Sequence, residues 1–98
     1  MSPTYELTRG IEQDWGRLTP EQKAQFRTAR DQMIEDLREG KGFRKALRVK
    51  GVQGAPGVFE MTWAPDGRAT FSFGVEHRPG EPHIIWRRIG THAVFNRP

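Results

Sequence analysis

The sequence predicts an α+β fold: two N-terminal helices packed on one face of a small, mainly antiparallel sheet, with the other face open. Three observations predict it. An apolar stripe of helical period fills residues 20–39. After Gly42 the apolar period switches from helical to two. An Asp66-Gly67 pair, the strongest short hairpin signal, separates two alternating segments.

Each element follows in order. Thr4–Leu7 reads as a short edge strand with Tyr5 and Leu7 on one face. Ile11, Trp15 and Leu18 recur at helical spacing and give a first short helix, weakened by Gly16. Thr19-Pro20-Glu21-Gln22 is a helix start: a capping hydroxyl, proline at the first helical position, and a Gln that closes a capping box. Phe26, Ala29, Met33, Ile34 and Leu37 then form one stripe, ended by Gly40 and Gly42. Leu47-Arg48-Val49-Lys50 alternates apolar and basic residues, as a strand would.

Val58–Trp63 places Phe59, Met61 and Trp63 on one face. Arg68–Phe73 does the same with Phe71 and Phe73. If these aromatic residues pack under the long helix, Arg48, Lys50, Glu60, Thr62, Arg68, Thr70 and Ser72 point to solvent on the opposite face. Val75–Pro82, with two prolines and a glycine, reads as a loop. His83–Ile89 reads as a central strand broken by Gly90, followed by a turn or extended tail over Thr91–Phe95.

Composition narrows the function. The chain has 98 residues and no cysteine, which excludes disulfides, thiolate zinc sites and a cysteine nucleophile. No apolar run approaches the roughly 20 residues of a membrane span, and no secretory signal opens the sequence. The expectation is one cytoplasmic domain over residues 1–98. Residues 1–40 carry net −2 and residues 41–98 net +6, so the strand-rich half is the one suited to a polyanion.

No P-loop, dinucleotide fingerprint or nucleophile elbow is present. His77, His83 and His92 show no metal-ligand spacing. The remaining inventory of His, Arg, Lys, Glu and Asp suits phosphodiester cleavage of RNA without a cofactor. There the substrate's own 2′-OH is the nucleophile, and the protein supplies an acid, a base and a cation.

Several segments, in order, resemble the RelE/ParE superfamily of bacterial type II toxins, above all its RelE-like and YafQ-like mRNA interferases. Trp15-Gly16-Arg17-Leu18 is similar to the end of the family's first strand–helix unit. Gly54-Ala55-Pro56-Gly57 leading into Val58-Phe59-Glu60-Met61 is similar to its glycine turn and aromatic strand. Gly67-Arg68-Ala69-Thr70-Phe71 is similar to its arginine-bearing hairpin strand, and Ile89-Gly90-Thr91-His92-Ala93-Val94-Phe95 to the G-T-H ending of the YafQ-like branch.

The resemblance implies a RelE-like fold, metal-independent cutting of mRNA on the ribosome to a 2′,3′-cyclic phosphate, and a partner antitoxin. It implies that Arg68 holds the scissile phosphate, that His92 is the general acid or base, and that Phe95 stacks on or positions a base. Glu60 and Thr62 stand where the RelE strand carries catalytic lysines. Glu60 is then a candidate base, Arg48, Lys50 and Arg87 are candidate RNA contacts, and His83 or His77 a second proton-transfer group.

Each residue also has an ordinary reading: Arg68 as a solvated turn charge, Glu60 as an ion-pair partner, Phe95 as a core cap. Two further functions fit the same fold. One is a RelE-fold module that binds RNA or protein without cleavage. The other is a gyrase poison of the ParE type.

Overall fold

The computed structural model describes residues 3–91. The chain runs β1 (Thr4–Leu7), α1 (Arg9–Trp15), α2 (Pro20–Glu39), a 3-10 turn (Lys45–Leu47), β2 (Lys50–Gly51), β3 (Val58–Ala64), β4 (Gly67–Arg78) and β5 (Glu81–Thr91). One five-stranded sheet has the order β1-β5-β4-β3-β2. Only β1 is parallel to its neighbour, so the sheet is mixed, though mainly antiparallel as expected.

The long helix begins as its sequence dictates. The Thr19 hydroxyl accepts from the Gln22 amide at 3.1 Å, and the Gln22 side chain returns a bond to the Thr19 amide at 2.9 Å. Gly40 ends the helix at φ 68°, a left-handed position where a Cβ is costly. The chain then doubles back, and Asp36 fastens the return. Its carboxylate accepts the Arg44 amide at 2.9 Å and the Arg44 guanidinium at 2.9 Å. These bonds hold the Asp36 carboxyl below its ordinary range, against the opposing effect of burial.

The core lies between the helices and the sheet. Phe26 and Met33 of α2 meet Met61, Trp63, Phe71, Ile84 and Trp86 of the strands. Phe26 stands edge-on to three indoles, Trp15, Trp63 and Trp86, with centroids at 5.7, 6.4 and 5.3 Å. Such edge-to-face pairs add roughly 0.5–1.5 kcal/mol each beyond the area they bury.

The short β1 leaves β5 with an unpaired outer edge beyond Trp86, the last residue in parallel register. Helix α1 fills that edge. The Thr8 amide donates to the Trp86 carbonyl at 3.2 Å, and the Thr8 hydroxyl to the Arg87 carbonyl at 3.0 Å. Asp14 accepts the Ile89 amide at 3.0 Å and the Arg88 guanidinium at 2.6 and 3.1 Å. Gly10 permits the approach: a Cβ there would stand 3.1 Å from the Arg87 carbonyl oxygen.

Four expectations are corrected. Leu47–Lys50 is not a strand: Leu47 closes the 3-10 turn and Arg48 is left-handed at φ 47°, so pairing starts only at Lys50. Val75–Pro82 is not a loop. β4 and β5 continue as a two-stranded ribbon to Arg78 and Glu81, and the turn is Pro79-Gly80 with Gly80 at φ 80°. Gly90 does not break β5, which runs to Thr91; residues 92–95 of the expected tail lie outside the described residues.

The far sheet face is also less open than alternation implies. Glu60 is 7% and Thr70 0% exposed, because both sit mid-sheet in the register row Lys50–Glu60–Thr70–Arg88. On the helix side, Phe73 remains 44% exposed, at the end of an aromatic run with Phe59 and Phe71.

Two stability predictions follow from this packing. A Cβ on Gly67 would lie 2.6 Å from the Trp63 ring, so Gly67→Ala is expected to cost roughly 1–3 kcal/mol. Urea unfolding beside Gly51→Ala, whose Cβ meets nothing within 4 Å, checks it. The second concerns Asp14. Burial would raise its pKa, but the bonds from Arg88 and the Ile89 amide and the Arg88 charge together hold it below 3.8. Its stabilisation is therefore complete above the unfolded value of 3.8 and is lost as the pH falls below it toward the lower folded value. Asp14→Asn is expected to cost roughly 3 kcal/mol at pH 7 by removing the buried carboxylate that pairs with Arg88 and accepts the Ile89 amide. Chemical denaturation between pH 2 and 7 is expected to show a flatter profile for this variant.

Candidate functional site

The strand pair β3–β4 builds the centre of the candidate site. Its hairpin turn is Pro65-Asp66, with Ala64 opposite Gly67. The Asp-Gly signal located this turn, but Gly67 does not have a positive φ. Its missing side chain instead makes room for the Trp63 indole, which lies across it. The indole Nε1 is buried without a hydrogen-bond partner among the described residues.

Arg68 is the next residue. It pairs with Thr62 on one side and Gly90 on the other. Its Nη1 donates to three carbonyls: Gly67 at 2.9 Å, Ala64 at 3.3 Å and Pro65 at 3.3 Å. The turn thus grips one corner of the guanidinium. Its other N–H groups make no hydrogen bond among the described residues. A planar fork anchored at one corner is oriented to present its remaining donors to a phosphate.

Glu60 shares the face with Arg68, two residues along the sheet, opposite Thr70 where Arg68 is opposite Thr62. Its carboxylate is buried and meets the Lys50 ammonium at 3.3 Å. Lys50 itself is largely exposed. Lys50 and Glu60 therefore enter any chemistry as a pair, and removing a proton with Glu60 would perturb that ion pair.

The other candidates fall in different places. Arg48 is exposed, on the 3-10 turn just before β2. Arg87 is half-buried on β5, where its carbonyl is tied to Thr8. His92 and Phe95 lie outside the described residues; β5 delivers the chain as far as Thr91, opposite Gly67.

His83 is not brought to Arg68. It pairs with Gly74 while Arg68 pairs with Gly90, and six residues of strand at about 3.3 Å each separate the two by roughly 20 Å. His83 is instead buried between Thr4 and Glu6, at 2.7 and 2.8 Å. His77 stacks on it and shares that end.

Sequence reasoning missed two concavities, one beside this face and one on the helix side of the sheet. Arg17, Gln22, Arg88 and Thr91 line a concavity of about 310 Å³ next to the end of β5. Linear spacing gives no sign of it, because its walls come from α1, the start of α2 and the end of β5, which lie far apart in the sequence. A second, larger groove of about 540 Å³ runs between β1 and the helices, lined by Tyr5, Leu7, Ile34 and Trp86. Tyr5 and Leu7 are exposed in it.

No protein-family model and no curated protein sequence matches the chain. Solved structures do. A chain of the E. coli DinJ–YafQ toxin–antitoxin complex aligns with a TM-score of 0.70 at 13% identity, over 96% of this chain and 97% of that one. YafQ from E. coli strain BL21(DE3) aligns at 0.63 and 12% identity, over 94% and 96%. A copper-bound mutant toxin from Helicobacter pylori aligns at 0.61 and 14% identity, over 93% and 96%. Over nearly its whole length, then, this chain has the RelE-like fold of the YafQ toxins.

Proposed function

We propose that residues 1–98 form one toxin domain of a type II toxin–antitoxin system, acting in the cytoplasm as an endoribonuclease on mRNA at the ribosome. The observation that carries this reading is the whole-length likeness to YafQ, together with Arg68 placed beside Gly90-Thr91, the residues that lead to His92. No helix among the described residues is long and apolar enough to cross a membrane.

In the proposed reaction the RNA 2′-oxygen attacks the adjacent phosphorus. The P–O5′ bond breaks, leaving a 2′,3′-cyclic phosphate and a 5′-hydroxyl. Arg68 donates to the non-bridging oxygens, where charge grows as the pentavalent state forms. His92 transfers one of the two protons. The other passes through Glu60, whose carboxylate meets Lys50 at 3.3 Å. Lys50, Arg48 and Arg87 contact flanking phosphates, and Phe95 stacks on or positions a base. No resident cofactor is required.

The proposed partner is an antitoxin, as YafQ has in DinJ. The apolar groove with exposed Tyr5 and Leu7 supports it, since such a groove suits the apolar face of a partner segment.

A second reading, a RelE-fold binding module without cleavage, draws on the same geometry. Arg68 is already bonded to three carbonyls and Glu60 to Lys50. Primer extension on a defined mRNA in a bacterial translation extract separates the two. Discrete cuts are expected from the wild type. Arg68→Ala is expected to slow cutting about 10²–10³-fold, and His92→Ala about 10²–10⁴-fold. Absence of cuts by a folded wild type favours the binding module, and cuts unchanged in both variants overturn the site.

A further inference from the structure

At the end of the sheet away from Arg68, three side chains from three strands converge. Glu6 comes from β1, His77 from β4 and His83 from β5. One ligand atom from each lies within 4.8 Å of the other two. We propose that these residues bind a first-row divalent transition-metal ion of the zinc class, pinning β1 to the β4–β5 ribbon.

The sequence spacing of the two histidines is no metal motif. The hairpin supplies what the spacing lacks, by folding β4 back along β5 so that the rings stack with centroids 3.9 Å apart. Gly74 is part of the site: a Cβ there would stand 2.9 Å from the His83 ring, so the ring occupies the space a side chain would fill.

His83 is prepared as a ligand. It is only 2% exposed, so its ring is held by packing. Its Nδ1 lies 2.7 Å from the Thr4 hydroxyl. Without metal, Nε2–H donates to the Glu6 carboxylate and Nδ1 accepts from the Thr4 hydroxyl. An ion at Nε2 replaces that proton; the neutral ring then carries its proton on Nδ1 and donates it to the Thr4 oxygen. Such a partner on the far nitrogen, which fixes tautomer and orientation, is what histidine ligands ordinarily have. Nε2 and the Glu6 carboxylate oxygen are 2.8 Å apart. Two ligands of one tetrahedral zinc stand about 3.3 Å apart at bond lengths near 2.0 Å. Opening the pair by that small amount is easy for Glu6, which is half-exposed.

His77 must do more. Stacked rings carry parallel in-plane lone pairs, which cannot meet at one ion, so the exposed His77 ring has to turn about its side-chain torsions. Two imidazoles and a carboxylate then hold the ion, with water completing the shell. Nitrogen-rich donors of this kind select zinc, nickel or copper over magnesium or calcium. The site lies roughly 20 Å of strand from Arg68, so its role is to fasten the N-terminal strand, and it is independent of RNA cleavage.

The test uses untagged full-length protein, since a histidine tag would mask the site. Isothermal titration with Zn²⁺ alone is expected to show one equivalent bound, and excess Zn²⁺ to raise the thermal midpoint. His77→Gln and Glu6→Gln, both at exposed positions, are each expected to weaken binding at least about tenfold and to reduce the thermal gain. His92→Gln is expected to bind zinc like the wild type. Absence of binding by the wild type, equal binding by His77→Gln, or loss of binding in His92→Gln overturns the proposal.

Discussion

The carboxylate of Asp14 holds the two ends of this fold together. An edge strand exposes unpaired amides and carbonyls, and they must be satisfied. β1 is four residues long and β5 eleven, so the pairing runs out partway. Thr8 and Asp14 take over where β1 stops, satisfying in turn the carbonyls of Trp86 and Arg87 and the amide of Ile89. Arg88 supplies the cation that keeps a buried carboxylate tolerable. Because the strand edge fixes α1, it also fixes Trp15, and Trp15 is one of the three indoles that frame Phe26 of the long helix.

The same packing reaches the candidate site. Phe26 touches Trp63, and Trp63 lies over Gly67. That contact sets the first residue of β4, so the carbonyls of Ala64, Pro65 and Gly67 end up gathered around one nitrogen of Arg68. The guanidinium is therefore positioned by backbone, which is rigid, and not by a second charged side chain, which would compete with a phosphate for it. Trp63 Nε1 is buried with no partner among the described residues, while its ring packs closely on the Gly67 backbone.

Much of this was legible in the sequence, and the reasons for success and failure differ by element. The long helix was readable because its start is a local bonding pattern: Thr19, Pro20 and Gln22 specify it without help from the rest of the chain. β3 and the first half of β4 were readable because one face is buried, which forces alternation. The ribbon beyond Gly74 was not, because both its faces meet solvent and no burial pattern marks it; its turn residues, Pro79 and Gly80, looked like a loop. Leu47–Lys50 alternated for another reason, since only Leu47 is buried and Arg48 turns the chain at a positive φ. Arg68 is singled out in the sequence by its place after a turn and its resemblance to a toxin motif, and the register puts it at the start of β4. Its three carbonyl bonds, the burial of Glu60 and the Arg17–Arg88 concavity depend on register and on Asp14. Those are relations between distant residues that no local pattern carries.

The two ends of β4 and β5 differ in a way that bears on function. Near Gly67 and Gly90 the pair lies inside the sheet, with β3 on one flank and α1 on the other, and Arg68 is held by backbone that cannot move far. Near His77 and Glu81 the pair is a free ribbon, tied to the body mainly through β1 and the hydrogen bonds of His83 to Thr4 and Glu6. The phosphate contact proposed for Arg68 needs a defined geometry, and the sheet-flanked end suits it. The proposed metal site needs side chains with room to turn onto an ion, and Glu6 and His77 are exposed while His83 is fixed by packing. The apolar groove beside β1 borders that second end. A partner segment seated there would press on β1 and so on Glu6, which gives the strand two possible fasteners, one polar and one apolar, neither of which touches the Arg68 face.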